Sequence, residues 1–267
     1  MLKPQRHEVI LREIQSRGQL SLRELSTILM TTEITVRRDL DELDQAGQIK
    51  RIRGGAQRLT PSSPEPPVVQ RQLLQSREKK AIGLKALDLV ADGEVIAIEA
   101  GSTTLELAHA IAQKSWQNLQ VVTNSFLIHE ALIHTEGVST IFLGGVVNRD
   151  ERGTFGMLAE EMLRHLRFNK LFVGCRGIDA DGGITYGIEA QTEAATIRAM
   201  AAATNQTFIL ADHTKLGQIY LIRLLPASAI AGLVVDDQAP AGQLAQLREK
   251  GVQVLPAPVA PNAESST

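Results

Sequence analysis

Three short helical patterns open the chain, and a glycine follows the first and the third of them. The first covers about residues 4–17 and ends at Gly18, because glycine is common just past a helix C-terminus. The second begins at Ser21, which stands at capping-box spacing from Glu24. The apolar stripes are Ile10, Leu11 and Ile14 in the first helix and Leu22, Leu25 and Leu29 in the second. Both helices are therefore expected to bury one face in a shared core.

A third helix is predicted after only three residues, Met30–Thr32. Thr32 is its expected N-cap, and Gly47 is its expected C-cap. Its buried positions recur at i, i+4 and i+7, at Val36, Leu40 and Leu43. Two short helices joined by so tight a turn predict a helix-turn-helix.

A small basic hairpin is predicted directly after the third helix. In the segment QIKRIRGGAQRL, apolar and basic residues alternate before the turn dipeptide Gly54-Gly55. A hairpin in this place is typical of a wing. Residues 60–69 contain four prolines and indicate a linker, and a polar helix of about residues 70–80 is expected to follow it.

The rest of the chain alternates between short apolar strands and helices, which is the pattern of a parallel sheet covered on both faces. The predicted strands are Val95–Ile98, Leu119–Thr123, Thr140–Leu143, Lys170–Val173, Thr207–Ala211, Gly232–Val235 and Val252–Leu255. The predicted helices include Thr104–Ala112, Phe126–His134, Gly156–Leu166 and Ala190–Ala203. The glycine-rich segment GCRGIDADGGITYG is expected to be a loop over the sheet. The predicted fold is therefore a winged helix-turn-helix followed by a doubly wound α/β domain.

These patterns divide the chain into four predicted parts. Residues 1–59 form the winged helix-turn-helix, and residues 60–80 form the linker and connecting helix. Residues 81–257 form the α/β domain, and residues 258–267 form a flexible tail.

Charge is divided unevenly between these parts. Residues 1–58 carry eleven basic and eight acidic residues, whereas the remaining 209 carry 17 basic and 22 acidic ones. A basic N-terminal segment followed by an acidic remainder suggests that only the N-terminal segment binds a polyanion.

Composition excludes several protein classes. Aromatic residues make up only 3% of the 267, so the core must be aliphatic. Cys175 is the only cysteine and is expected to pack rather than react, and no Cys/His cluster has zinc-ligand spacing. No apolar run approaches the ~18–20 residues that span a bilayer, and the N-terminal residues lack a signal-peptide pattern. We therefore expect a soluble cytoplasmic protein without a metal.

The third helix and the wing carry the residues expected to contact DNA. Side chains near the start of such a helix enter the major groove, where arginine pairs with guanine and threonine contacts a thymine methyl or a phosphate. The candidate residues are Thr32, Thr35, Arg37 and Arg38 on the helix, with Arg51 and Arg53 on the wing. An alternative is that Arg37–Asp41 and Arg38–Glu42 are i,i+4 ion pairs on a solvated helix.

Polar or glycine-rich segments end several strands of the predicted sheet, where open α/β folds bind ligands. The segment Gly101–Thr104 leads into a helix, whose free N–H groups can bind an anion, although such a segment is equally often a plain helix cap. The candidate ligand-binding residues are Glu99, Gly101, Ser102, Thr103, Thr104, Thr123, Asn124, Ser125, Gly144, Gly145, Arg176, Asp212 and Lys215. Lys215 is expected to meet a phosphate or carboxylate, with Asp212 either positioning it or capping the turn.

The motifs, taken in order, resemble the DeoR-type bacterial transcriptional repressors. The N-terminal part of the resemblance is Arg6-x3-Ile10-x3-Ile14, followed by Thr32-x2-Thr35-Val36-Arg37-Arg38-Asp39-Leu40 and the wing glycines. The second part consists of EAGSTT, VVTNS, FLGG, LFVG-x2-GID, the helix from Glu193 to Met200, and LADHTKLG. The resemblance covers about residues 3 to 255.

The resemblance implies a repressor of a carbohydrate catabolic operon that a phosphorylated sugar releases from DNA. It also implies a sensor domain similar in fold to sugar-phosphate isomerases, no cofactor, and a homo-oligomer, either a dimer or a tetramer. Three departures bear on the effector: Glu99 stands where the family usually has aspartate, Asn169 replaces a frequent aspartate, and Arg176 stands where an acid or amide is more common.

An enzyme with a DNA-binding head is the alternative class, namely a sugar-phosphate isomerase or deaminase. Its acid–base groups would come from Glu99, Asp179, Glu189, Glu193 and Lys215. None of the six histidines stands in a recognisable catalytic motif, so we expect no catalytic residue.

Overall fold

The chain divides into two compact units, Met1–Leu74 and Gln75–Thr267. The computed structural model describes residues 3–45, 49–57 and 65–260. The predicted C-cap Gly47, the domain end at residue 59, residues 60–64 of the linker and residues 261–267 of the tail lie outside these ranges.

The first unit is a small helical domain with a three-stranded sheet. Its helices are α1 (Lys3–Arg17), α2 (Leu22–Leu29), α3 (Glu33–Gln45) and the short α4 (Val68–Arg71). Its strands are β1 (Gln19–Ser21), β2 (Lys50–Ile52) and β3 (Gly55–Gln57). They are antiparallel in the order β1-β3-β2, so the predicted wing (residues 49–57) pairs with a strand that the sequence patterns did not indicate.

The predicted end of α1 and the predicted start of α2 are confirmed in detail. The Ser21 backbone N–H donates to Glu24 at 2.8 Å, and Glu24 N–H donates to the Ser21 hydroxyl at 3.2 Å, which completes the capping box. Gly18 ends α1 with a φ of +82°, a conformation that favours glycine. The core consists of Ile10, Ile14, Leu20, Leu22, Leu25, Leu29, Val36, Leu40, Leu43, Ile49 and Ala56. Burial of each large side chain contributes about 1.5–3 kcal/mol.

The second unit is built on a seven-stranded parallel sheet with the order β15-β14-β12-β9-β4-β5-β6. These strands are β4 (Val95–Ile98), β5 (Leu119–Thr123), β6 (Val138–Phe142), β9 (Lys170–Val173), β12 (Thr207–Leu210), β14 (Gly232–Asp236) and β15 (Gln253–Ala257). The remaining strands are β7 (Val146–Asn148), β8 (Gly153–Phe155), β10 (Gly177–Asp179), β11 (Gly183–Tyr186) and β13 (Ile222–Leu225). All seven predicted strands are confirmed, with ends shifted by at most two residues.

Six helices cover the two faces of this sheet. They are α5 (Ser76–Leu87), α6 (Thr104–Ala112), α7 (Phe126–Leu132), α8 (Met157–Leu163), α9 (Gln191–Ala202) and α10 (Ala241–Glu249). Alternate residues of one strand enter different cores, so Ile96 and Ile98 pack with α5, α6 and α7, whereas Ala97 packs with α8, α9 and α10. The buried Trp116 belongs to the first of these cores, and its indole N–H donates to the Ile111 carbonyl at 3.0 Å.

The order of the strands creates a switch point between β4 and β9. The chain adds β5 and β6 on one side of β4, and then adds β9, β12, β14 and β15 on the other side. Ligands of open α/β sheets bind in the crevice that opens at the carboxyl ends of strands at such a point.

Two predicted elements of the chain were wrong. The connecting helix of about residues 70–80 is interrupted, because Gln75 adopts a φ of +44° between α4 and α5. Helix α5 continues to Leu87 and buries Ile82 in the second unit. The segment expected to be a glycine-rich loop forms the β10–β11 hairpin, because Ile178 is buried and Asp179 caps the turn by accepting from the Gly182 N–H at 2.6 Å.

Candidate functional site

Helix α3 places the predicted recognition residues on its outer face. Thr32 caps the helix, since its hydroxyl oxygen accepts from the Thr35 N–H at 3.3 Å and lies 3.0 Å from the Thr35 hydroxyl. Val36 and Leu40 are completely buried on the inner face, whereas Arg37 is exposed. The helix therefore has the orientation that the sequence pattern predicts.

Arg37 and Arg38 are both exposed, and neither forms an ion pair with any part of the chain that the structure describes. Their i+4 acids are paired elsewhere: Asp41 lies 3.0 Å from the Arg51 Nε, and Glu42 lies 2.6 Å from the Lys3 Nζ. The alternative of i,i+4 ion pairs on this helix is therefore wrong. Both guanidinium groups are available to an external anion.

The inner side of α3 carries a charged contact that the sequence patterns did not reveal. Asp39 is buried and accepts two hydrogen bonds from Arg6 on α1, at 2.7 and 2.9 Å. Burial would raise the pKa of Asp39, but these hydrogen bonds and the nearby charges of Arg6 and His7 hold the pKa below its ordinary value. The ionised pair fixes the recognition helix against α1.

The two predicted wing arginines differ in their surroundings. Arg53 stands at the hairpin turn and is exposed. Arg51 is partly buried, and its guanidinium contacts Asp41 and donates to the Gly55 carbonyl at 3.0 Å. The structure thus presents Arg53 outward and directs Arg51 toward α3.

In the second unit, the residues that follow β4 form an enclosed loop beside the switch point. Within residues 65–260, no hydrogen bond uses the backbone N–H of Ser102, Thr103 or Thr104, which begin helix α6. Ser102 and Thr103 are 5% and 7% exposed, so an anion here would be largely screened from water. The Thr104 hydroxyl instead donates to the Glu99 carbonyl at 2.7 Å and thereby shapes the loop. Glu99 itself is buried at the end of β4.

The side chains that follow β5 hold this loop in place. The side-chain Oδ1 of Asn124 accepts from the Ala100 N–H at 2.9 Å, and its side-chain Nδ2 donates to the Thr154 carbonyl at 3.1 Å. The Thr123 hydroxyl donates to the Ile98 carbonyl at 2.7 Å, and Ser125 caps α7. These three predicted ligand residues therefore lie at the carboxyl edge of the sheet, as predicted, and their side chains form hydrogen bonds with the protein backbone.

The β7–β8 hairpin lies against the same loop. A Cβ on Gly153 would lie 2.8 Å from the Asn124 carbonyl oxygen and 3.2 Å from the Ala100 Cβ, so only glycine fits. Gly145 allows a similarly close approach to Phe155, and the Gly144 N–H lies 3.2 Å from the Met162 sulfur. Gly144 and Gly145, both predicted as ligand residues, therefore allow the chain to turn from β6 into the β7–β8 hairpin.

The loop after β9 carries Arg176 on the other side of the switch point. Its guanidinium is buried, pairs with the Glu189 carboxylate, and lies 4.3 Å from the centroid of the Tyr220 ring. Strand β9 is the hydrogen-bonded neighbour of β4, so Arg176 and the Ser102 loop follow adjacent strands. The sequence patterns did not predict the contacts of Arg176 with Glu189 and Tyr220.

After β12 the chain forms a short 3-10 turn, His213–Lys215. Asp212 caps this turn by accepting from the Thr214 N–H at 3.0 Å. Lys215 is half-buried. The imidazole of His213 lies 2.9 Å from the Asp236 carboxylate, and this hydrogen bond raises the pKa of His213 despite its burial.

Several acids proposed for the enzyme alternative have structural partners. Glu189 pairs with Arg176, and Glu193 accepts from the Asn148 amide at 2.7 Å. Asp179 caps the β10–β11 turn. The described residues hold no group of three or more His, Cys, Asp or Glu side chains that could bind a metal ion.

None of the helices in the described ranges is long and apolar enough to cross a membrane.

Two family models match the chain. The DeoR-like helix-turn-helix domain matches residues 6–62, and the DeoR C terminal sensor domain matches residues 74–237. The second match alone covers more than half of the chain. The chain belongs to the DeoR family. It is accordingly a DNA-binding transcriptional regulator with a separate sensor domain.

Full-length relatives agree with this assignment to the DeoR family. The uncharacterized HTH-type transcriptional regulator YgbI of Escherichia coli (strain K12) is 32% identical over 96% of this chain and 98% of its own length. The glycerol-3-phosphate regulon repressor of the same organism is 28% identical over 95% of this chain and 99% of its own. Ribose 5-phosphate isomerase A from Neisseria gonorrhoeae matches the structure with a TM-score of 0.38 and 16% identity, over 52% of each chain. A likeness this low carries no weight for the function.

Proposed function

We propose that this DeoR-family regulator represses a carbohydrate catabolic operon in the cytoplasm and that a phosphorylated sugar releases it from operator DNA. The observation that carries the effector assignment is the set of three N–H groups of Ser102, Thr103 and Thr104 beside the switch point, which have no acceptor within residues 65–260. A phosphate has the charge and the oxygen acceptors that such a helix N-terminus prefers.

Two further features support an anionic effector. Lys215 follows β12, two strands from β4, and would add positive charge to the same edge of the sheet. A relative that covers nearly the whole chain is named for the regulon of glycerol-3-phosphate, a phosphorylated polyol. We further propose that the regulator acts as a homo-oligomer, a dimer or a tetramer, because paired half-sites on DNA match a two-fold protein.

The first prediction tests the phosphate site through Ser102→Asp. The new carboxylate would stand against the effector phosphate in an enclosed site, so we expect effector affinity to fall at least about tenfold. Lys215→Ala should weaken binding less, since it removes an attraction without adding a repulsion. DNA affinity should be unchanged, and the variant should repress without being induced.

The measurement is calorimetry with a panel of sugar phosphates and their unphosphorylated counterparts, paired with a reporter strain. Ser139→Asp, at an exposed position on β6, is the matched control. Normal induction and unchanged affinity in Ser102→Asp would return the loop to the role of a helix cap. Conversion of any of these sugar phosphates to an isomerised or deaminated product would favour the alternative that the protein is an enzyme.

A further inference from the structure

Arg51 makes three hydrogen-bonding contacts that join the wing to the recognition helix. Its backbone N–H donates to the Asp44 carboxylate at 2.7 Å, and its Nε lies 3.0 Å from the Asp41 carboxylate. Its Nη1 donates to the Gly55 carbonyl at 3.0 Å, across the hairpin. One residue therefore connects helix α3, strand β2 and strand β3.

The far side of the wing is held by a different set of contacts. The Leu22 N–H donates to the Gly54 carbonyl at 2.8 Å, and β3 pairs with β1. A Cβ on Gly55 would lie only 2.1 Å from the Leu20 carbonyl oxygen, so the strands approach closely there. The wing is thus fixed to α2 on one side, and Arg51 fixes it to α3 on the other.

A phosphate contact by Arg51 would compete with these bonds. The planar guanidinium presents its donors in a fixed geometry, so turning it toward DNA would abandon Asp41 and the Gly55 carbonyl together. It would also leave the Asp41 carboxylate, which is half-exposed, uncompensated beside a polyanion. Arg53 can contact DNA without giving up such bonds, because it is exposed at the tip of the hairpin.

We propose that Arg51 is a positioning residue, which sets the angle of the wing to the recognition helix through Asp41, and that Arg53 is the arginine of the wing that meets the DNA backbone. This assignment concerns only the DNA-binding unit and does not depend on the identity of the effector.

The two assignments of Arg51 predict opposite effects of Asp41→Ala. If Arg51 positions the wing, Asp41→Ala weakens DNA binding by up to about fivefold, the value of a good exposed ion pair. If Arg51 contacts phosphate, Asp41→Ala frees the arginine, removes a negative charge and tightens binding. Glu42→Ala is the matched control, because it makes the same charge change on the same helix but loses a contact to Lys3 instead.

Arg51→Lys and a double variant provide a second discrimination. A lysine retains the charge but cannot bridge Asp41 and Gly55. A positioning role therefore predicts that Arg51→Lys binds as poorly as Arg51→Ala, and a phosphate role predicts near-normal binding for Arg51→Lys. In the positioning case, Asp41→Ala combined with Arg51→Ala should weaken binding no more than Arg51→Ala does alone.

Salt dependence separates Arg51 from Arg53. Losing one phosphate contact lowers the slope of log Kd against log salt by about 0.9 per bound chain. We expect this reduction for Arg53→Ala and an unchanged slope for Arg51→Ala.

The experiment uses the full chain and a duplex that the wild-type protein selects from a random-sequence pool, with Kd measured by filter binding at several salt concentrations. Active fractions and thermal unfolding are measured for each variant, because a loss of folded protein lowers the active fraction without changing its Kd. Tighter binding by Asp41→Ala, or a reduced slope for Arg51→Ala, would overturn the assignment.

Discussion

On the recognition helix, Arg37 and Arg38 are exposed, and their charges form no ion pair within the residues that the structure describes. The acids one turn away are held by Lys3 and Arg51, and Asp39 is held by Arg6. An exposed arginine without an internal partner loses little when it binds an external acceptor. The two side chains are therefore prepared for base or phosphate contacts before DNA arrives.

Replacing either arginine should weaken operator binding measurably. For an arginine that reads a base, Arg37→Ala or Arg38→Ala should cost about 1–3 kcal/mol and relax specificity at one operator position. Gel-shift titration against the selected duplex and its single-base variants measures both effects. Arg12→Ala is the control, because Arg12 is exposed on α1 and its replacement removes the same charge. Wild-type affinity in both variants of α3 would refute base reading by this helix.

The periodicity of α3 predicts which residues face the core, but it does not predict the role of Asp39. That carboxylate lies on the inner face, between Val36 and Leu40, and it is tolerated only because Arg6, 33 residues earlier, reaches it. A pattern within one helix carries no information about a partner on another element. For the same reason the sequence pattern of the wing did not reveal the contact of Arg51 with Asp41.

At the scale of elements, the long-range parallel sheet was more predictable than the local hairpins. The central strands β4, β9, β12 and β14 are short, mainly apolar runs that are buried on both faces, so their composition reports their environment. The strands β7 and β8 have three residues each and depend on contacts with Asn124 and Ala100, which are distant in sequence. The position of the candidate effector loop was likewise predictable, whereas the bonds of Asn124 and Thr104 to the backbone were not.

The 3-10 turn that carries Lys215 should respond to pH through the pair of His213 and Asp236. The pKa of His213 is raised, so the pair stabilises the turn fully below the ordinary histidine value of about 6.5. That stabilisation is lost as pH rises through the raised pKa. The acids whose charges favour protonated His213 are Asp236, Asp212 and Glu78.

We therefore expect effector affinity to decline at alkaline pH, and Asp236→Asn to remove this decline. Calorimetry across about pH 6 to 9 measures the effector affinity. Ionisation of the effector phosphate near pH 6 changes the affinity in the opposite direction, and the Asp236→Asn variant is the control for that effect. Parallel pH profiles of the wild type and Asp236→Asn would show that the pair does not influence the site.

At the scale of the whole molecule, the division into Met1–Leu74 and Gln75–Thr267 coincides with the division of charge. Each unit has its own apolar core, and the two family models divide the chain in nearly the same place. A unit with a complete core can fold alone. DNA binding and effector binding are thus assigned to parts that can be studied separately.

Separate expression of the two units should separate the two activities. Residues 75–267 should bind the effector and oligomerise but not bind DNA, and residues 1–74 should retain weak affinity for the operator, since one copy contacts only one half-site. Calorimetry, sedimentation and gel shift measure these properties. A monomeric 75–267 fragment would contradict its role in assembly, and DNA binding by that fragment would contradict the division.

The burial of Trp116 in the second unit makes the two halves optically distinct. Residues 1–74 contain no tryptophan, tyrosine or phenylalanine, and Trp116 is the only tryptophan of the chain. Its ring is 5% exposed, with the Lys114 ammonium 4.4 Å from the ring centroid. Near-ultraviolet absorption and indole emission therefore report on the sensor unit alone, and the DNA-binding unit is silent in both. A urea titration monitored by tryptophan emission would therefore follow the unfolding of the sensor unit in the intact regulator, without any label and without cutting the chain.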